Sequence, residues 1–335
     1  MSNDGEYGDQ DLLPPGTCLG GHTVIRGVLG EGGTAVVYDA FHTQLQKPVA
    51  VKMLNVYGRR AREARARLIR EARICESVHD PRVPKVYFID ELDDGTPYMV
   101  MEKIEGPTLE KLIERGPIPV KTACNIAAQL LEGLGAIHAR GVVHRDIKPS
   151  NIILQPRKDG TVRVRLMDFG IGKITGESAP DVTGITRQGD IIGTPCYMPP
   201  EQLMAQTVDA RVDLYAAGVV LYEMLTGKGP YEARSIAEVV AAVLRDDMPK
   251  VRSRRPDVPV AIEEVVSKAT AKDPTARYAS AERMKLALCA ALRASRPTSV
   301  PGSKPLAQQP KQSKPITLTT PKRRAVRALA ALPCA

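Results

Sequence analysis

The sequence predicts an α+β chain, with a smaller β-rich part carrying one long helix followed by a larger, mainly helical part. Three observations predict it. Val36-Val37-Tyr38 and Val49-Ala50-Val51-Lys52 are short β-branched runs flanking a polar connector with Pro48, as strands are. Residues 59–79, RRAREARARLIREARICESVH, form a long helical stretch, and Glu71 lies on its apolar face beside Leu68, Ile69, Ala72 and Cys75, whereas Glu63 lies among arginines. After residue 120 helical periodicity dominates, over 120–138, 214–225, 236–244 and 262–270.

Composition bounds the function. With 335 residues, 43% hydrophobic and 25% charged, the chain has ample material for a core. Its six cysteines are scattered without a C-x-x-C pair, which suggests neither a disulfide framework nor a zinc site and reads as reduced thiols. The start, MSNDGEYGDQD, is polar and acidic where a secretory leader would be basic and then apolar. No apolar run approaches the ~18 residues of a membrane helix, so the expected location is cytoplasmic.

The net charge of +9 is localised. Nine basic residues and no acidic one lie from Arg293 onward, which leaves the body balanced. This Ser-, Pro- and Lys-rich tail, residues 293–335, has the composition of a disordered segment. It is either a solvated linker or an arm for an acidic partner, nucleic acid or anionic lipid. Residues 1–22 read as an N-terminal extension. The seven arginines from Arg59 to Arg73 read as the solvent side of the long helix, with one or two able to grip a phosphate.

Residues 29–38, LGEGGTAVVY, are a glycine-rich turn that opens into a strand, whereas a dinucleotide-binding turn opens a helix. In a strand–turn–strand hairpin, Gly30 and Gly32 let backbone N–H groups approach phosphate oxygens with no Cβ in the way. Ala35 stands where the pattern has its third glycine.

Four motifs follow in order: Lys52 in V-A-V-K, H-R-D-I-K-P-S-N at 144–151, Asp168-Phe169-Gly170, and Pro199-Pro200-Glu201. With the glycine-rich turn, they resemble the protein-kinase superfamily and, within it, the bacterial eukaryotic-like (Hanks-type) serine/threonine protein kinases. The resemblance covers about residues 23–292 and implies the two-lobed protein-kinase fold, its lobes residues 23–102 and 103–292, with ATP and Mg2+ (or Mn2+) as cofactors and protein substrates as partners. Pro199 departs from the alanine usual at its position.

The resemblance also implies roles. Lys52 contacts the α- and β-phosphates, held by Glu71. Asp146 orients or deprotonates the acceptor hydroxyl, Lys148 reaches the γ-phosphate, and Asn151 and Asp168 hold the metal. Leu29, Gly30, Glu31, Gly32, Gly33, Thr34, Ala35, Val37, Ala50 and Ile153 surround the nucleotide. Tyr98 to Ile104 connect the lobes, with Met101 as gatekeeper and the main chain of Glu102 and Ile104 bonded to adenine. Phe169 packs against Cys75. Thr194 assists Asp146 in choosing Ser/Thr acceptors. In the activation segment Thr186, then Thr183, are the expected phosphosites, with Arg145 as their cation. Glu201 pairs with Arg277, and Asp213 caps the loop that carries Asp146. Lys148 in H-R-D-x-K-P-x-N points to serine/threonine acceptors. Present together, Lys52, Glu71, Asp146, Asn151 and Asp168 favour an active enzyme over a catalytically silent scaffold. The G-T-x-x-Y-x-x-P-E segment favours protein over small-molecule acceptors.

Overall fold

The computed structural model describes residues 12–32, 35–54, 59–168, 194–231 and 235–295, all within one compact unit, Met1–Ser295. The first lobe is a six-stranded antiparallel sheet in the order β1-β2-β3-β4-β6-β5, built from β1 (Cys18–Leu19), β2 (Thr23–Gly32), β3 (Ala35–His42), β4 (Lys47–Leu54), β5 (Val86–Glu91) and β6 (Pro97–Glu102). β3 alternates buried and half-buried side chains along its whole length, the period-two pattern of a strand with one face on the core. The other strands complete a core of Ile25, Val36, Tyr38, Ala40, Val49, Val51, Tyr98 and Val100. β2 carries two bulges, between Ile25 and Gly27 and between Val28 and Gly30, that bend it where the glycine-rich segment begins.

Helix α1 (Arg59–Ser77) packs on this sheet through Leu68 and Ala72, which join Ala50, Met99 and Met101 in a second small core. Arg65, Arg70 and Arg73 are exposed, as expected for the solvent side. β1 lies inside the stretch read from sequence as an extension, because Cys18 and Leu19 pair with Val24 and Thr23. The connector between the lobes is shorter than the sequence suggested. Tyr98 to Glu102 belong to β6, whose ladder with β4 runs from Met53↔Tyr98 to Val49↔Glu102, so only the residues after Glu102 are free to connect.

The second lobe holds α2 (Leu109–Ile113), α3 (Val120–His138), the two-stranded ribbon β7 (Ile152–Pro156) and β8 (Val162–Leu166), α4 (Pro200–Leu203), α5 (Arg211–Thr226), α6 (Ile236–Arg245), α7 (Val251–Arg254), α8 (Val260–Ala269) and α9 (Ala281–Ala294). Helix α3 buries Leu130, Leu131, Leu134 and Ile137 against α5 and α9. Each such side chain contributes about 1.5–3 kcal/mol. Helix α5 is apolar almost all round and runs through the middle of the lobe, as a helix buried on every side must. Thr108, Ser235 and Ser280 cap the N-termini of α2, α6 and α9 by accepting from the N–H three residues on, and Gly227 ends α5 in the left-handed conformation at φ 74°. The ribbon turns at Asp159-Gly160, where Gly160 has φ 78°. Among the described residues no helix is long and apolar enough to cross a membrane.

The α5–α8 contact is so close that a Cβ on Gly218 would come within 2.8 Å of both Ala269 Cβ and Thr270 Cγ2. Gly218→Ala should therefore destabilise the chain by about 1–3 kcal/mol. Denaturant unfolding should show a lower midpoint at an unchanged slope, and an unchanged midpoint would mean that the two helices separate without cost.

Candidate active site

The segment after α3 that carries H-R-D is held from below by α5. Asp213, in the first turn of α5 and buried, accepts through Oδ2 from His144 N (2.8 Å) and through Oδ1 from Arg145 N (2.8 Å). His138 Nε2, at the end of α3, also meets Oδ2 at 2.8 Å. These contacts hold Arg145 at φ 65°, a left-handed conformation costing a non-glycine residue about 1–3 kcal/mol. Gln202 Nε2 of α4 donates to Arg145 O at 3.1 Å and ties the P-P-E segment to the same loop. Burial holds the His144 imidazole below its ordinary pKa against the pull of Asp213, Asp146 and Asp168, so it stays neutral.

Asp146 comes next, half-buried. Asn151 Nδ2 donates both to Asp146 O (2.9 Å) and to Asp146 Oδ2 (2.8 Å), and Lys148 Nζ lies 3.4 Å from the same carboxylate oxygen. With both amide hydrogens of Asn151 committed to Asp146, its carbonyl oxygen is left to face a cation. Met167 N donates to Asn151 O at 2.9 Å, so Asp168 is the residue directly after a main-chain contact to Asn151. Asp168 also has positive φ, 52°.

Across from this loop Lys52 is buried on β4, with Nζ 2.8 and 2.9 Å from the two Glu71 oxygens and 2.9 Å from Asp168 Oδ1. Burial alone would lower the lysine pKa, but the Asp168 and Glu71 carboxylates outweigh it and raise it, so the ammonium stays charged. Burial raises the Glu71 pKa, and Lys52 opposes that rise. One cation between two carboxylates leaves the cluster net negative, the electrostatics that draw a divalent metal. Asn151 and Asp168 supply hard oxygen donors, the chemistry Mg2+ takes when it uses one or two protein ligands and fills its shell with phosphate and water.

Val37, Ala50, Met101 and Met167 form one apolar cluster against Leu68 and Met99, with Ala50 paired to Met101 and Val37 to Lys52 across the sheet. Leu29 lies in the second bulge of β2 and is 50% exposed, while Ile104 and Ile153 are half-buried. Glu31 pairs with Val36, Gly32 with Ala35, and a Cβ on Gly30 would meet no atom within 4 Å, so packing does not require a glycine there. Glu201 and Arg277 form a buried fork at 2.5 and 2.9 Å, and Arg277 also donates to Ala271 O and Lys272 O. Cys75 is buried. Gly33, Thr34, Phe169, Thr183 and Thr186 lie outside the described residues, as do Glu63 and Thr194 with respect to their side chains.

Several partners escaped the sequence reading. Glu102 engages Arg165 through its carboxylate, Lys103 Nζ reaches Asp39 Oδ1 at 2.7 Å, and Tyr197 OH donates to the half-buried Glu223 at 2.5 Å. Nothing in the spacing of these residues links them.

Asp213→Ala would take the acceptor from two N–H donors, the buried one of His144 and the half-buried one of Arg145. It should lower the unfolding free energy by about 2–4 kcal/mol and speed amide exchange at His144 and Arg145. Asp257→Ala, which removes an exposed ion pair with Arg255, should change stability by less than about 0.5 kcal/mol. Equal effects of the two substitutions would contradict the capping role.

Residues 24–288 match the family model described as the protein kinase domain. The chain is 36% identical over 267 residues to serine/threonine-protein kinase pkn3 of Myxococcus xanthus, covering 79% of this chain and 49% of pkn3. It is 36% identical over 271 residues to serine/threonine-protein kinase PrkC of Bacillus subtilis, covering 81% of this chain and 40% of PrkC. With serine/threonine-protein kinase PknL of Mycobacterium bovis the identity is 36% over 281 residues, 83% of this chain and 67% of PknL. The chain thus spans about half or less of the first two relatives. The crystal structure of the Mycobacterium tuberculosis PknI kinase domain superposes with a TM-score of 0.64 at 24% identity, covering 84% of this chain and 100% of that one, a likeness of fold. The chain belongs to the protein kinase family and, within it, to the bacterial Hanks-type serine/threonine kinases.

Proposed function

We propose that the chain transfers the γ-phosphate of ATP to serine and threonine hydroxyls of proteins, with residues 23–102 and 103–292 as its two lobes. The carrying observation is the contact of Lys52 with both Glu71 and Asp168, set beside Asp146 and Asn151. Phosphoryl transfer spreads charge over the moving oxygens, so its catalyst needs a fixed cation, a metal seat and an oriented acceptor more than a covalent partner. Lys52 serves as the cation, with Glu71 aiming it at the α- and β-phosphates. Asp146, steadied by Asn151 and Lys148, takes or orients the acceptor proton, and Lys148 neutralises the γ-phosphate. Asn151 and Asp168 would hold Mg2+ (or Mn2+), which would supply positive charge against that of the phosphates. Val37, Ala50 and Met101, with Leu29, Ile104 and Ile153, enclose the adenine, and Gly30 and Gly32 give the phosphates close access to main-chain N–H groups.

Thr186 and Thr183 are the proposed autophosphorylation sites, and Thr194 the acceptor-selecting hydroxyl. Protein substrates are the proposed partners, and the basic tail after Arg293 offers a second contact for an acidic partner, nucleic acid or anionic lipid. A cytoplasmic location is proposed because ATP is drawn from there and because Cys18, Cys75, Cys124, Cys196 and Cys289 are thiols rather than disulfides.

Labelled ATP with Mg2+ should transfer phosphate to the chain itself or to a generic protein acceptor, with label recovered on serine and threonine. Asp146→Asn should lower the rate about 10²–10⁴-fold, and chelation of the metal should abolish transfer. ATP binding without transfer to any acceptor would refute the reading.

A further inference from the structure

Arg165 lies on β8, three residues before Asp168, with only 3% of its side chain exposed. Its guanidinium forks onto Glu102, Nη1 to Oε1 at 3.0 Å and Nη2 to Oε2 at 2.6 Å. Nη1 also donates to Gln155 Oε1 on β7 at 3.1 Å, and Nη2 reaches Val83 O, in the segment after α1, at 3.5 Å. Glu102 is the last residue of β6, at the start of the connector. Its N–H donates to Lys85 O at 2.8 Å, and its Oε2 accepts from Lys85 N at 3.2 Å. The next residue of β8, Leu166, donates to Arg82 O at 2.7 Å. Residues 82–85 are thereby fastened both to the strand that leads to Asp168 and to the start of the connector, and they follow the helix that carries Glu71.

A guanidinium cannot shed its charge, so burial obliges it to find an anion, and the bidentate fork sets the angle as well as the distance of the pair. Burial would raise the Glu102 pKa, but hydrogen bonding to Arg165 and its charge overcome this and keep the carboxylate ionised. The next residue, Lys103, the first of the connector, pairs with Asp39 of β3, so the end of β6 is held from the second lobe and the first connector residue from the first.

We propose that Arg165 is a positioning residue that couples the connector, where the adenine is held, to Asp168, where the metal is held, so that base and metal are bound cooperatively. The inference rests on the kinase reading above. It assigns to the Glu102 side chain a task separate from that of its main chain.

The test measures the thermal midpoint of the full chain with ATP alone and with ATP plus Mg2+, together with adenosine binding and phosphate transfer, in wild type, Arg165→Met, Arg165→Lys and the swap Arg165→Glu/Glu102→Arg. In the wild type Mg2+ should enlarge the midpoint shift given by ATP. In Arg165→Met that enlargement should vanish and the Mg2+ needed for half-maximal transfer should rise about tenfold, while adenosine binding stays within about twofold. Arg165→Lys, which keeps the charge without the fork, should fall between, and the swap should recover most of the metal response. A folded Arg165→Met with the full enlargement would overturn the proposal, as would a wild type in which Mg2+ adds nothing to the ATP shift. If Arg165→Met does not fold, Arg165→Lys decides by the same criterion. Wild-type coupling without phosphate transfer would instead sink the kinase reading and leave this inference standing.

Discussion

The Lys52 ammonium is the charge on which both lobes' contributions to the site depend. It is buried on β4, and burial of an unneutralised cation is far too costly to persist, so it must hold anions. One comes from α1 as Glu71 and fixes the rotation of that helix. The other comes from the second lobe as Asp168 and lies on the far side of the connector in sequence. Because the same ammonium reports the position of both, a displacement of either carboxylate is felt by the other. A buried pair of this kind adds little net stability compared with an apolar replacement, yet breaking it from one side costs several kcal/mol, which makes it a device for specifying an arrangement.

The second lobe answers with strained backbone. Arg145, which precedes Asp146, and Asp168, itself part of the site, both sit at positive φ, and neither is a glycine. At Arg145 the strain is borne by packing and polar contacts from the surrounding helices. Asp213 of the buried helix α5 caps the loop from beneath, Gln202 of α4 holds its carbonyl, and the Arg277–Glu201 fork holds α4 in turn. This chain of contacts runs from the buried helix α5 to the main chain of His144 and Arg145, just before Asp146.

Much of this was legible in the sequence, for a physical reason. Lys52, Asp146, Asn151 and Asp168 stand in short motifs because neighbouring residues must adopt one local conformation, and the helices α3, α5, α6 and α8 appear within two or three residues of where their periodicity placed them. Glu71 was selected by its apolar neighbours on the helix, of which Leu68 and Ala72 pack with the sheet and Cys75 joins the core of the second lobe. The bulges of β2 and the short connector were not legible, since both depend on the ladder partner and not on the strand itself. Arg165 was hidden for a related reason. In VRVRL an arginine reads as the solvent side of an alternating strand, and only the fold brings Glu102, 63 residues away, beside it.

The central claim, that Lys52 and Glu71 act as one buried unit, is tested most directly by a double-mutant cycle of unfolding free energies for Lys52→Met, Glu71→Gln and the double variant. The account predicts strong coupling, with Lys52→Met alone costing about 3–5 kcal/mol and the double variant less than the sum of the singles by at least about 1 kcal/mol. Additive effects would mean that the two charges do not depend on each other and would contradict it.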